Sequence, residues 1–166
     1  VLTYRVNYVV VQCGLMKPLN GIKVIDLTHM LAGPYAGMVI ADLGAEVVKV
    51  EPLEPGEMTR GLLQKDPNYS FKNFGAYFLT LNRNKKSVSL DLKNDEGLEV
   101  FYDLVKSADV VLNNFSAGVV KKLKIDFEFL KKINPKIITC SITGFGETGP
   151  HSSRPAYDQI VQAYSG

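Results

Sequence analysis

Two cysteines, Cys13 and Cys140, are all that 166 residues contain, and they stand far apart in the chain. So small a supply excludes a disulfide scaffold and points to a reducing compartment. Charge of one sign is equally scarce. The formal net charge is +2, well short of the basic footprint that a nucleic-acid partner requires. No apolar run reaches the roughly 18 residues that a membrane-spanning helix needs, so no membrane partner is expected. Internal repeats and low-complexity segments are missing. His, Cys and carboxylates do not fall at metal-binding spacings, so no metal is expected. Neither a Ser-His-Asp nor a Cys-His arrangement can be picked out.

What the chain does have is apolar content, 46% of its residues, enough for one good core and about one domain by length. Its first 15 residues, VLTYRVNYVVVQCGL, carry an apolar patch interrupted by Arg5, Asn7 and Gln12. No small-residue cleavage pattern follows, which argues against a secretory signal. Arg5 is the one basic residue of this stretch, a weak basis for a mitochondrial targeting segment. The chain starts at Val1, whereas Met16-Lys17-Pro18-Leu19 reads as a natural beginning. Tyr157–Gly166 starts a helix-like run and stops. Residues 1–16 are read as an N-terminal extension, and 17–166 as the first part of a larger domain.

The richest stretch is GIKVIDLTHMLAGPYAGMVIADLGAEVVKVE, residues 21–51. Ile22–Leu27 is a short apolar run of the kind buried in a parallel sheet. Pro34 suits a first helical turn, where its missing N–H would be unpaired anyway. Tyr35, Met38, Val39 and Leu43 recur at helical spacing, and Gly44 can end the helix in a left-handed conformation. Glu46–Glu51 is the next strand. Such a β-α-β unit gathers its loops at the carboxyl end of the sheet, where open α/β folds bind ligands. Asp26, Thr28, His29 and Met30 fall there.

A long polar loop then runs from Pro52 to Asn73. Ala76–Leu81 and Ser87–Leu92 read as strands bracketing a cationic turn, Asn82-Arg83-Asn84-Lys85-Lys86. Asn94 is a good N-cap, with Asp95 and Glu96 in the first turn, where the helix dipole favours anions. Leu98, Phe101, Leu104, Val105 and Ala108 form the expected buried face. Val110–Leu112 is a strand, Ala117–Leu123 and Phe127–Ile133 are short helices, and Ile137–Ile142 is a further strand. The alternation predicts a mostly parallel sheet covered on both faces.

The dinucleotide fingerprint needs three glycines after the first strand. The loop from Thr28 to Pro34 has one, and Glu51 alone is a weak mimic of the ribose-binding acid. Gly144-Phe145-Gly146 with Gly149-Pro150 lacks the lysine of a P-loop. From pattern alone His29 reads by default as a satisfied loop histidine packed under the sheet, and its place at a strand's carboxyl end raises the reading as a group at a ligand site. Lys121, Lys122, Lys124, Lys131 and Lys132 are by default a solvated face, some of which could hold an anion.

Six segments, taken in order, resemble the class III CoA-transferase family, which includes formyl-CoA and carnitine CoA-transferases and alpha-methylacyl-CoA racemase. They are PLNGIKVIDLTHMLAGPYAGMVIADLGAEVVKVE, GEMTR, YFLTLNRNKKSVSLDLKNDEG, ADVVLNNFSAG, LKKINPKIITCSITGFGETGP and RPAYDQIVQAYSG. The resemblance implies a Rossmann-like α/β fold within a larger interlocked homodimer, in the cytoplasm or the mitochondrial matrix. Its substrates would be an acyl-CoA and a carboxylic acid, with coenzyme A lying along the large domain. The implied coenzyme A contacts are His29, Met30, Leu31 and Ala32, then Leu90, Asp91, Leu92 and Lys93. Asn114, Phe115, Ser116, Lys122, Arg154 and Tyr157 complete them. Asn113 stands where the family commonly has Glu, Ala117 where it has Pro, and Lys124 where it has Gly. Pro52 stands where some members place a CoA-binding arginine.

The racemase branch places a histidine base before the Asp of the last motif, whereas this chain has Tyr157-Asp158. A tyrosine of pKa near ~10 is a poor base at neutral pH, which favours transfer over racemisation. The nucleophilic aspartate implied by the family lies about thirty residues past the YDQIVQAYSG motif, beyond Gly166. A non-catalytic, CoA-binding module is the alternative from another class.

Overall fold

The computed structural model describes residues 17–166; the expected extension, Cys13 and the targeting question lie outside them. Strand β1 (Lys23–Asp26) alternates its side chains between two cores. Val24 packs with Ala41, Ala45, Val47 and Leu112, and Ile25 with Phe101, Val105, Val111 and Leu130. Burial on both faces is why this strand reads as a continuous apolar run rather than as an alternation.

Helix α1 (Ala32–Asp42) has Pro34 in its first turn and ends ahead of Gly44, whose φ of +106° is the left-handed conformation that a stop requires. Its buried side, however, is Gly33, Pro34, Gly37, Met38 and Ala41. Tyr35, Val39 and Leu43, expected to face inward, are exposed. The small residues lie against the sheet because α1 approaches it closely. A Cβ at Gly37 would come within 2.6 Å of Asp26 Oδ2.

Strand β2 (Glu46–Glu51) follows, and then the excursion from Pro52 to Asn84. That excursion is more than a loop. It holds a 3-10 turn (Met58–Gly61), a small hairpin of β3 (Ser70–Phe71) and β4 (Phe74–Gly75), and helix α2 (Ala76–Leu81). Ala76–Leu81 was expected as a strand. A short apolar run fits either period, and here Phe78 and Leu81, three apart, supply the buried side of a helix.

Strand β5 is Lys85–Ser89, two residues earlier than expected. Lys85 and Lys86 pair with Val47 and Val48 of β2 rather than forming a turn. Leu90–Leu92 have already left the sheet. Asn94 caps α3 (Asp95–Ser107) as expected, its side-chain oxygen accepting the Gly97 N–H at 2.6 Å. Leu98, Phe101, Val105 and Ala108 are buried, and Leu104 half-buried.

Strand β6 (Val110–Asn113), short α4 (Val119–Lys122), α5 (Phe127–Ile133), β7 (Ile138–Ser141) and α6 (Asp158–Ser165) complete the order. Five strands form one sheet in the order β5-β2-β1-β6-β7, every pairing parallel. From β1 the chain moves outward to β2 and β5, then returns to β6 on the other side. The reversal lies between β1 and β6, so the loops leaving their carboxyl ends diverge and open a crevice.

Candidate functional site

Asp26 and Leu27 carry β1 to that crevice, and the loop beyond is tied down by hydrogen bonds. Asn114, just past β6, acts like a strand across the switch point. Its Oδ1 accepts the His29 N–H at 2.8 Å, and its Nδ2 donates to the His29 carbonyl at 2.7 Å. Met30 follows with φ +67°, a conformation costly for a side-chain-bearing residue, and its N–H donates to Glu57 Oε1 at 3.0 Å.

Under this loop lies a buried polar network. Residue alternation puts Asp26, Lys49 and Glu51 on the face covered by α1. Lys49 is 1% exposed and donates to the Thr28 carbonyl at 2.7 Å. Glu51 receives the Arg60 guanidinium on both oxygens, at 2.5 and 2.7 Å, as well as the Ser87 hydroxyl at 2.6 Å and the Glu57 N–H at 3.0 Å. Burial pushes the Glu51 carboxyl up, but these donors outweigh it and bring its pKa down to about 2. Arg60 also stacks on Phe78, its guanidinium carbon 4.0 Å from the ring centre. Glu57 caps the 3-10 turn through Thr59. Three carboxylates, Asp26, Glu51 and Glu57, meet three cations, Lys49, Arg60 and Lys85. That balance makes their burial tolerable.

The His29 ring sits at the edge of the network, Nδ1 4.0 Å from Glu57 Oε1 and its centroid 5.8 Å from that of Phe115. Burial lowers its pKa and the Lys49 ammonium lowers it further, against the opposing charges of Glu57, Asp26 and Glu51.

Above it opens a cleft that faces solvent. His29, Leu27, Val50, Glu51 and Pro52 form one wall, Leu90, Asp91, Leu92 and Lys93 another, and Phe115 with Leu123 the third. The lining is mostly apolar, with a few polar groups at its rim, the usual make-up of a small-molecule site.

The fold thus brings His29, Leu90–Lys93 and Phe115 together, although some sixty and then twenty residues separate them. Met30 and Asn114 hold the loop from behind. Leu31, Ala32, Ser116 and Lys122 are exposed without lining the cleft, Lys122 beside Leu123, which does. Arg154 and Tyr157 are not brought to it. Arg154 donates to the Tyr164 hydroxyl at 3.2 Å, in an aromatic cluster with Phe145 and His151. Tyr157 is 68% exposed. Lys85, expected in a solvated turn, is instead buried against Asp26. Sequence reading overlooked Lys49, Glu57 and Arg60. The available signal was a lysine set among valines in a buried strand.

A parallel sheet with a cleft beside its switch point is the architecture in which open α/β folds bind ligands. Comparison with known proteins makes it specific. Residues 19–166 match the profile of "CoA-transferase family III", and the chain belongs to that family. It is 44% identical over 154 residues to the succinyl-CoA:glutarate CoA-transferase of Mus musculus, covering 93% of this chain and 34% of the relative. It is 46% identical over 154 residues to the succinate–glutarate CoA-transferase of Agrobacterium fabrum, covering 90% and 38%. The crystal structure of a CaiB/BaiF family protein from Brucella suis superposes with a TM-score of 0.82 at 44% identity, covering 89% of this chain and 39% of that one. The chain therefore spans little more than a third of the length of these relatives. Among the described residues, no helix is long and apolar enough to cross a membrane.

Proposed function

We propose that this chain supplies the coenzyme A-binding part of an enzyme that moves CoA from an acyl-CoA to a carboxylic acid. The observation that carries the reading is the cleft. Residues from three separate segments, His29, Leu90–Lys93 and Phe115, line one apolar cavity at the switch point. An adenine or pantetheine arm suits its apolar walls. Lys93, which lines the cleft, and Lys122, next in sequence to the lining Leu123, are exposed cations that suit phosphates.

The chemistry runs through an aspartate expected beyond Gly166. Its carboxylate attacks the thioester carbonyl, the C–S bond breaks, and CoA leaves as thiolate, giving a mixed anhydride. The thiolate attacks the aspartyl carbonyl, releasing the donor acid and leaving an aspartyl-CoA thioester. The acceptor carboxylate attacks that thioester and expels CoA thiolate, which then takes the new acyl group and frees the aspartate. Covalent catalysis splits one difficult exchange into easier steps. Tyr157 in place of a histidine base supports transfer over racemisation. The enzyme would work as an interlocked homodimer in the cytoplasm or mitochondrial matrix.

The test is to incubate the full-length protein with succinyl-CoA and glutarate, the pair named for its relatives, and then with other short acyl-CoAs and acids. Mass spectrometry of the products and of the acid-quenched protein reports new acyl-CoA and a covalent CoA adduct. Epimerised acyl-CoA without exchange would establish the racemase instead, and CoA binding without turnover a binding module.

A further inference from the structure

Glu57 joins the two loops that border the cleft. Its Oε1 accepts the Met30 N–H at 3.0 Å and lies 4.0 Å from His29 Nδ1, while Oε2 accepts the Thr59 N–H at 3.1 Å. The residue is 1% exposed. Its own backbone N–H is fixed by Glu51, which the Arg60 guanidinium grips on both oxygens. The carboxylate is thus immobilised from behind and offers one oxygen forward. That oxygen is the side-chain partner of a backbone held at φ +67°. A strained conformation persists only where its surroundings over-determine it, and the Glu57 bond, with Asn114 on the other side, does so here.

We propose that Glu57 is a positioning residue for acyl-CoA: by holding the Met30 backbone it sets the place of His29, the residue of this loop that lines the cleft. This rests on the cleft being the coenzyme A site. Glu57 touches no substrate itself and acts through Met30 and His29. An amide at this position cannot replace it, because an NH2 group would meet either the Met30 or the Thr59 N–H, donor against donor.

The test uses full-length protein carrying Glu57→Gln, Glu57→Ala or Thr59→Val, with CoA itself as titrant in calorimetry and steady-state kinetics beside it. Thr59→Val loosens the same turn without touching Met30. Both Glu57 variants should bind CoA about tenfold more weakly, the loss of one charged hydrogen bond. KM for acyl-CoA should rise in step, while kcat at saturation changes less than about threefold. Thr59→Val should lower the thermal midpoint and leave CoA affinity within about twofold. CoA affinity unchanged in Glu57→Gln overturns the proposal, as does equal weakening by Thr59→Val, which would make the effect one of turn stability. If Glu57→Ala does not fold, Glu57→Gln decides. Failure of the wild-type protein to bind CoA is a separate result, and removes the coenzyme A reading as well.

Discussion

The ammonium of Lys85 on β5 reaches past β2 to the carboxylate of Asp26 on β1, Nζ to Oδ2 2.8 Å, with the two side chains 1% and 0% exposed. The Pro34 carbonyl and Asn82 Oδ1 take its other protons, at 2.8 and 3.0 Å. Asp26 in turn receives the Thr28 N–H and hydroxyl on its other oxygen. Burial lowers the Lys85 pKa, and Asp26 opposes that. One ion pair therefore locks the outer strand, the start of α1 and the loop that leads to His29.

Removing the cation leaves a buried carboxylate without its counter-charge. Lys85→Met is expected to cost about 3–5 kcal/mol, read from urea unfolding of the full-length protein. Lys85→Met combined with Asp26→Asn should recover part of that loss. A cost below about 1 kcal/mol for the single variant would mean that water reaches the pair.

Glu51 sets an acid limit on stability. Its folded pKa of about 2 lies below the ordinary 4.5, so between these values the unfolded chain binds the extra proton. Stability from this group is complete above about pH 4.5 and is lost as pH falls through about 2. Unfolding midpoints measured from pH 6 to pH 2 should fall steeply in the wild type and less steeply in Glu51→Gln. Parallel slopes would show that Glu51 is not the group responsible.

Lys124 stands just past the end of α4 with φ +58°, at a position where the resemblance led glycine to be expected. A side chain in this conformation is strained, and glycine is not. Lys124→Gly is expected to stabilise the protein by about 0.5–1 kcal/mol, measured as a raised thermal midpoint. A lowered midpoint would mean that the Lys124 side chain contributes more than its strain costs.

The 166-residue chain alone is expected to give no acyl-CoA:carboxylate exchange, because the proposed nucleophile lies beyond Gly166. Helix α6 buries none of its residues, Ile160, Val161 and Tyr164 are exposed on it and Tyr157 at its N-cap, so the isolated chain should also self-associate. The checks are chromatography of the reaction products and light scattering of the isolated chain. Turnover by the isolated chain would move the nucleophile into these residues, with Asp158 the first to mutate.

Elements with local punctuation were legible in advance. Asn94, named in advance, caps α3 through the Gly97 N–H, and the bounds of Phe127–Ile133 were read correctly, although its cap, Asp126, was not singled out. Gly44 was equally plain. Ala76–Leu81 was misread because a six-residue run with five apolar residues satisfies either period. The inward side of α1 was misread because glycine and alanine, weak hydrophobes, face the sheet where the backbones approach closely. At the cleft, His29, Leu90–Lys93 and Phe115 were named in advance, Leu27, Val50, Glu51, Pro52 and Leu123 were not, and Arg154 and Tyr157 do not line it.

The sequence by itself determined the alternation of strand and helix, the parallel sheet, the loop at His29 and the family, because each rests on contiguous residues and short-range rules. Only the tertiary structure decided which distant charges meet. Lys85 with Asp26, Arg60 with Glu51, and Glu57 with Met30 are pairings made by strand order and by the return of the 57–60 turn over β2. Charged side chains carry no period that marks a partner. A lysine bound for solvent and one bound for a buried carboxylate read alike until the sheet brings them together.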